Sequence, residues 1–209
     1  MTRKRVRRVY RLEGAPVADT SAKAEASRVA PRPRSSLRGP HRALEQDFVQ
    51  DTLADGRPFR ILTVVDNWSR QSPVLEAGFR MSGARVGDTV DCMLSGEQGP
   101  RSITVDQGTE FRSRALEDWA YRRGVQLDFM RPGNPVENAF IESCNGRLRD
   151  ECLNVHQFVS LADAQSIIET WRVDYNHHRP HSSLGHLTPN EFVAQRQALQ
   201  TVEEVVCSS

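Results

Sequence analysis

Between residues 44 and 178, β-rich runs and helical patterns follow one another in an order that restricts the fold more than any other feature. The predicted strands are LEQDFVQDTL, PFRILTVVD, PVLEAGF, SITVD and VQLDF, and the predicted helices cover 83–97, 113–124, 135–152 and a long stretch that starts with the capping residues Ser160 and Asp163. The order βββαβαβαα predicts an α/β fold with a five-stranded mixed sheet flanked by helices. Such sheets place active sites at strand ends. Glycines, among them Gly83 and Gly87, weaken the first predicted helix.

The N-terminal region differs from the rest of the chain in charge and composition. Residues 1–42 contain 12 Lys and Arg against 3 Asp and Glu, whereas the remainder has 16 against 24. This arm is also rich in Ala, Pro and Ser, which predicts a basic, disordered arm and linker. We expect it to bind a polyanion, although an ordinary basic leader has the same composition. The core is expected at residues 43–195, with a C-terminal tail at 196–209.

Composition also bears on the compartment. No apolar run approaches the roughly 20 residues that a membrane helix needs, and the basic N-terminus lacks the apolar segment of a secretory signal. A cytoplasmic location with no membrane partner is therefore expected. The four cysteines, Cys92, Cys144, Cys152 and Cys207, form no CxxC pair. Free buried thiols are favoured over disulfides or zinc ligands.

Two aspartates stand where a charge is costly. Asp47 lies within the first predicted strand and Asp106 ends the fourth, both beside apolar β residues. The predicted topology makes these two strands neighbours, so the two carboxylates should lie close together and repel each other. A divalent cation such as Mg²⁺ would relieve that repulsion. A purely structural role is about as plausible from these residues alone, and Asp66 in VVDNWS is expected only to cap a turn.

The helix predicted at residues 135–152 carries a polar stripe of Asn138, Glu142, Asn145 and Arg149. Its opposite side carries Phe140, Ile141, Cys144 and Leu148, which suits burial. From this segment alone, a polar face on an amphipathic helix is favoured over a catalytic site. If the helix faces the edge of the sheet, Glu142 could supply a third carboxylate beside the two aspartates.

The histidine-rich stretch YNHHRPHSSLGHLTP is the other concentration of functional side chains. His177, His178, His181 and His186 could suggest zinc, but their spacing is irregular and no cysteine stands at ligand spacing. A helix end followed by a Pro-rich loop is the favoured interpretation.

Five segments taken together resemble a known family. They are DFV at 47–49, LTVVDNWSR at 62–70, VDQGTEF at 105–111, RPGNPVENAFIESCNGRLRDECLN at 131–154 and DYNHHRPHSSLGHLTPNEF at 174–192. In this order they resemble bacterial insertion-sequence transposases, and in particular the downstream-frame protein of two-frame elements. The catalytic core of that family is similar to retroviral integrase, which implies a ribonuclease H-like fold. Leu44, Gln107 and Cys144 depart from the residue types expected at their positions.

The resemblance implies an Asp-Asp-Glu triad at Asp47, Asp106 and Glu142 that holds two Mg²⁺ ions, with Mn²⁺ as a substitute. The implied reaction is metal-dependent cleavage and strand transfer of DNA. Asn138, Asn145 and Arg149 would contact DNA phosphate near the cut.

The implied partners are the DNA of the element ends and the target, further copies of the chain on DNA, and an upstream-frame helix-turn-helix protein. The alternative is a truncated, catalytically weak remnant that only binds DNA or transposase partners. A nuclease without a transposition role is less favoured, because the RPHSSLG motif has no evident use in it.

Overall fold

The structure is a computed structural model that describes residues 42–94, 99–131 and 138–207, with side chains described as far as Leu199. The predicted basic arm falls almost entirely outside these residues, as do Pro135 and the side chain of Cys207. The expectations for them therefore stay predictions.

A single five-stranded sheet forms the centre of the described chain. Its strands are β1 (Ala43–Thr52), β2 (Pro58–Asp66), β3 (Leu75–Gly78), β4 (Ser102–Val105) and β5 (Gln126–Phe129). Their order across the sheet is β3-β2-β1-β4-β5. The first three strands are antiparallel neighbours, whereas β4 runs parallel to β1 and β5 parallel to β4. The predicted mixed sheet is confirmed, with the first strand at its centre and the fourth beside it.

Among the described residues, the helices follow the predicted order with two differences, one in the middle of the chain and one after residue 188, where the last helix was not predicted. They are α1 (Gly83–Leu94), α2 (Arg114–Arg123), α3 (Ala139–Leu148), α4 (Leu161–His178) and α5 (Pro189–Cys207). The sequence predicted one regular helix over 135–152, which is wrong at its end, since α3 gives way to a π-helical turn at Arg149–Leu153. Helix α5 also runs across residue 195, where we expected the core to end.

One face of the sheet packs on α1 and α2 mainly through apolar side chains. This cluster, which we call the α1/α2 core, takes Leu44, Leu62, Val64, Ile103 and Val105 from the sheet. The packing of the two helices also explains Gly87, which the sequence alone indicated would weaken α1. A Cβ at Gly87 of α1 would lie 2.8 Å from the Trp119 ring of α2, so the missing side chain lets the two helices approach.

The other face packs on α3 and α4. This second cluster, the α3/α4 core, includes Ile141, Cys144 and Leu148 from α3 and Ile168 and Trp171 from α4. The predicted apolar side of the α3 segment is thus confirmed, with Phe140 only partly buried. Helix α4 begins as predicted, since the Ser160 hydroxyl accepts the N–H of Asp163.

Side-chain hydrogen bonds hold the turn after β2 and the edge strand β3. The turn after β2 is built on Asp66, whose carboxylate accepts the N–H groups of Trp68 and Ser69 and the Ser69 hydroxyl, which confirms its predicted capping role. At edge strand β3, the Gln165 amide of α4 donates to the Ala77 carbonyl at 2.8 Å.

The cysteines depart in part from expectation. Cys144 and Cys152 are buried thiols, but Cys92 is exposed, since it lies on the outer side of α1. Within the parts of the chain that the structure describes, no helix is both long and apolar enough to cross a membrane.

Candidate active site

The two predicted aspartates come together at the centre of the sheet. Asp47 lies in the middle of β1, and Asp106 directly follows β4. In the parallel pairing of these strands Glu45 stands opposite Thr104, and continuing this register by two residues sets Asp47 opposite Asp106. Side chains two residues apart on a strand share a face, so both carboxylates lie on the side that α3 and α4 cover.

The proximity of the two carboxylates has an electrostatic consequence. Burial raises the pKa of Asp47 above its ordinary value, and the negative charge of Asp106 raises it further. The Phe48 N–H, the Asn145 amide and the positive charge of Arg149 act in the opposite direction. Asp47 is therefore a carboxylate that gains from a nearby cation, which is the electrostatic condition for a divalent metal ligand.

The loop that carries Asp106 has little freedom. The Gly108 N–H donates to Asp106 Oδ1 at 2.8 Å, and a Cβ at Gly108 would come equally close to that oxygen. Farther along the loop, Glu110 pairs with Arg60 of β2. Glycine at position 108 is therefore required if the Asp106 carboxylate is to keep its position.

Helix α3 is joined to the aspartates through an amide. Asn145 Nδ2 donates to Asp47 Oδ2 at 2.8 Å. Glu142 lies three residues earlier on the same side of α3, but its side chain is exposed. Among the described residues, no group of three or more His, Cys, Asp or Glu side chains is close enough to hold a metal ion. The structure therefore brings Asp47 and Asp106 together, and the third ligand, Glu142, stays a prediction.

The three predicted DNA contacts have different environments. Arg149 is exposed and lies near enough to Asp47 to affect its pKa. Asn138 and Asn145 are both buried, and the Asn145 amide is used on Asp47. Contact of all three with DNA stays a prediction, and the geometry favours Arg149 most.

Two residues that the sequence analysis passed over lie beside the site. Glu45 is fully buried on β1 and accepts the Ile141 N–H of α3 at 2.9 Å. Arg70, in the turn after β2, lies over the Phe140 ring, with its guanidinium carbon 3.3 Å from the ring centroid. The period-2 alternation of a strand could have placed Glu45 on the same face as Asp47, but no local signal links Arg70 to α3.

The histidine-rich stretch forms a helix end and a turn. Helix α4 ends at His178, and a short 3₁₀ turn follows at Ser182–Leu184. Burial and the charges of nearby arginines lower the pKa of His181 to about 4, and its ring meets the edge of Tyr175. His181 is therefore neutral at physiological pH.

The donors that the structure presents at this place are hard oxygens. Two carboxylates and an amide suit Mg²⁺ or Mn²⁺, whereas zinc prefers thiolate and imidazole. The pair Asp47 and Asp106 thus fits a divalent cation by its chemistry and by the raised pKa of Asp47.

The region that carries these residues is similar to known protein families. Residues 38–135 and residues 123–189 match two family models, each described as an integrase core domain. Asp47 and Asp106 fall in the first match and Glu142 in the second.

Several curated proteins of bacterial insertion elements are similar in sequence. An uncharacterized 31.7 kDa protein of insertion element IS407 from Burkholderia multivorans is 41% identical over 196 residues, covering 93% of this chain and 70% of the relative. An uncharacterized 39.2 kDa protein of IS476 from Xanthomonas euvesicatoria is 42% identical over 161 residues, covering 77% and 46%. The transposase of IS904 from Lactococcus lactis is 32% identical over 123 residues, covering 55% and 48%. The chain thus spans about half the length of the last two.

Solved structures show the same fold at low identity. The catalytic core domain of HTLV-2 integrase, solved in complex with magnesium in a trimeric form, matches with a TM-score of 0.57 at 12% identity, covering 73% of this chain and 96% of that one. The intasome of simian T-cell lymphotropic virus, solved with the PP2A regulatory subunit B56 gamma, matches with a TM-score of 0.58 at 17% identity, covering 69% and 52%. The predicted ribonuclease H-like fold is confirmed.

Proposed function

The chain belongs to the insertion-sequence transposases with an integrase-like catalytic core, and from this membership we propose that it cleaves DNA at the ends of its element and joins them to a target. The observation that carries the proposal is the pair Asp47 and Asp106, set side by side by two parallel strands, with α3 tied to Asp47 by Asn145. A pair of partly buried carboxylates has no evident use in the core.

In this proposal Asp47, Asp106 and Glu142 hold two Mg²⁺ ions, and Mn²⁺ can replace them. When bound, the cations stabilise negative charge on the attacking and leaving oxygens. Asn145 fixes the Asp47 carboxylate by its hydrogen bond, and Gly108 fixes that of Asp106. The chain itself forms no covalent intermediate.

The surroundings of the site suit a polyanion. The exposed Arg149 follows α3 immediately and would bind a phosphate near the cut, with Asn138 and Asn145 as further contacts. The basic residues of the N-terminal arm would add affinity without sequence preference. The DNA partners are the element ends and the target, and further copies of the chain and an upstream-frame helix-turn-helix protein complete the proposed assembly.

The test compares Glu142→Gln with Asp150→Asn, an equally exposed carboxylate eight residues later. Both substitutions remove one charge and leave the α3/α4 core untouched. With DNA carrying the terminal repeats of the element and Mg²⁺ or Mn²⁺, Glu142→Gln should lower cleavage and strand transfer by about 10²-fold or more, because metal placement dominates this chemistry. DNA affinity should stay within a few fold. If the wild type is active and the two variants are equally active, the assignment of Glu142 is contradicted.

A second candidate is the catalytically weak remnant that only binds DNA or transposase partners. The observation in its favour is that the described residues contain no group of three or more potential metal ligands. The same assay separates the two candidates. A wild type that binds the element ends but cleaves nothing with either metal would favour the remnant.

A further inference from the structure

We propose that Glu45 and Arg70 are positioning residues that together fix the first turn of α3, and through it Glu142, relative to Asp47 and Asp106. This inference rests on the proposed function, since it assigns Glu142 a place beside the aspartates. Neither residue needs to touch DNA or metal. They act on the two residues that directly precede Glu142.

Glu45 anchors the backbone of α3 to the central strand. Its Oε2 accepts the Ile141 N–H at 2.9 Å, and this N–H lies in the first helical turn, where no carbonyl of the helix itself can accept it. A carboxylate at a helix N-terminus is also favoured by the helix dipole. Because Glu45 stands two residues before Asp47 on the same face of β1, one rigid strand carries both the ligand and the anchor.

Arg70 holds the residue before Ile141. Its guanidinium lies over the Phe140 ring, and its Nη1 donates to the Asn67 carbonyl of its own turn. Its backbone is in the left-handed region, with φ of 61°, which costs free energy for a residue other than glycine. The turn therefore accepts local strain in a conformation that places this cation on Phe140.

The turn that presents Arg70 is itself held from the opposite side by the C-terminal helices. Gln71 Nε2 donates to Asn190 of α5 at 2.7 Å, and the Trp68 ring meets the edge of Phe192 at 5.0 Å between centroids. The Ser72 backbone exchanges two hydrogen bonds with the Asn176 side chain of α4, at 2.9 and 2.8 Å. The segment DYNHHRPHSSLGHLTPNEF, which contributes Asn176, Asn190 and Phe192, thus supports the turn that contacts α3.

Two contacts on successive residues leave the start of α3 little freedom. Phe140 is held by the turn and Ile141 by the strand, so the backbone that enters Glu142 is fixed from both sides. Catalytic groups lose efficiency when they are misplaced by about 1 Å, so such anchoring matters even though it lies outside the reacting atoms.

The test uses the full chain and two pairs of variants. Glu45→Met keeps the volume of the side chain but removes the acceptor, whereas Glu45→Gln keeps an oxygen that can accept the Ile141 N–H. Arg70→Met removes the flat cation, and Arg70→Lys keeps a charge. Arg57→Met is the matched control, because Arg57 also lies over an aromatic ring, Phe79 at 5.0 Å, away from α3.

Three measurements are made on each variant: amide hydrogen exchange in α3, affinity for Mn²⁺ alone, and kcat and KM for strand transfer. We expect Glu45→Met and Arg70→Met to speed exchange at Ile141 and Glu142 by about tenfold, to weaken Mn²⁺ binding and to lower kcat with little change in KM. Glu45→Gln should recover most of the effect, and Arg57→Met should behave as the wild type.

The results separate this inference from the proposed function. Wild-type exchange at Ile141 and Glu142 in both Met variants would overturn the inference. Faster amide exchange in the Met variants together with unchanged Mn²⁺ affinity and kcat would also overturn the inference. In that case α3 would be loosened without a change in the position of Glu142. If the wild type binds no Mn²⁺ and transfers no strand, the proposed function fails, and the exchange comparison alone decides whether Glu45 and Arg70 fix the start of α3.

Discussion

The two faces of the central sheet are built from the same strands but have different chemistry. On β1, Leu44 and Phe48 face α1 and α2, whereas Glu45 and Asp47 face α3 and α4. The first face holds apolar groups that stabilise the fold by burial. The second accepts the cost of partly desolvated carboxylates, which it offsets with hydrogen bonds from α3. The candidate chemistry is therefore separated from the α1/α2 core by the thickness of one sheet, and it shares its own face with the apolar α3/α4 core.

The largest effect that would test this separation is expected at Phe111. This fully buried ring of the α1/α2 core stacks on Phe48 at 4.9 Å between centroids. Phe111→Ala should lower the free energy of unfolding by about 3–5 kcal/mol, since it leaves a cavity. Urea denaturation measures this. A loss under about 1 kcal/mol would show that burial of this ring in the α1/α2 core contributes little to stability.

A smaller effect of opposite sign is expected at Gln46, the one buried polar β1 side chain on the face toward α1 and α2. It is buried, and its amide oxygen and nitrogen have no hydrogen-bond partner among the described residues. Gln46→Met has nearly the same shape and removes the unsatisfied groups, so it should raise the free energy of unfolding by about 1 kcal/mol. If Gln46→Met instead lowers the free energy of unfolding by about 1 kcal/mol, the Gln46 amide is hydrogen-bonded to buried water in the wild type. The face toward α1 and α2 would then be less apolar than described.

The smallest effect on stability is expected at Asp47. Its pKa is raised in the folded chain, so the folded state binds the proton more tightly than the unfolded state does. The stability that protonation provides is present at low pH and lost as the pH rises from 3.8 through the folded-state pKa. Asp47→Asn should therefore stabilise the metal-free chain at pH 7 by about 1 kcal/mol or less, and by less still at pH 4.

Urea denaturation of Asp47→Asn at pH 4 and pH 7 measures this effect. The control is the same pair of measurements on Asp51→Asn, a substitution on the same strand. Among the described residues, the Asp51 carboxylate accepts one N–H, that of the next residue, Thr52. If Asp47→Asn raises the free energy of unfolding equally at pH 4 and pH 7, the electrostatic origin of the effect is contradicted. Asp47→Asn should abolish cleavage activity whatever its effect on stability.

The sequence predicted what depends on local pattern and missed what depends on long-range contact. The adjacency of Asp47 and Asp106 followed from strand order alone, and the capping role of Asp66 from turn chemistry. The anchor at Glu45 joins atoms 96 residues apart, which no periodicity can indicate. Gly87 was interpreted as a helix weakness because propensity scales do not include the Trp119 ring that fills its place.

The end of α3 shows the same limit in the backbone. The apolar pattern of Leu148, Cys152 and Leu153 is compatible with a regular helix, and only packing reveals the π-helical turn that buries both Cys152 and Leu153. Cys92 was expected to be buried with the other thiols, yet it lies outward on α1, because cysteine content does not determine which side of a helix faces the core.

The hydrogen bond from Gln165 to Ala77 has a consequence for how the chain behaves at high concentration. The outer edge of a sheet exposes backbone groups that another molecule can extend as a further strand, which is a common route to aggregates. Strand β3 is such an edge, and α4 packs against it while the Gln165 amide occupies one of its carbonyls. The helix that completes the α3/α4 core thus also blocks sheet growth at this edge, so solubility and folding depend on the same contact.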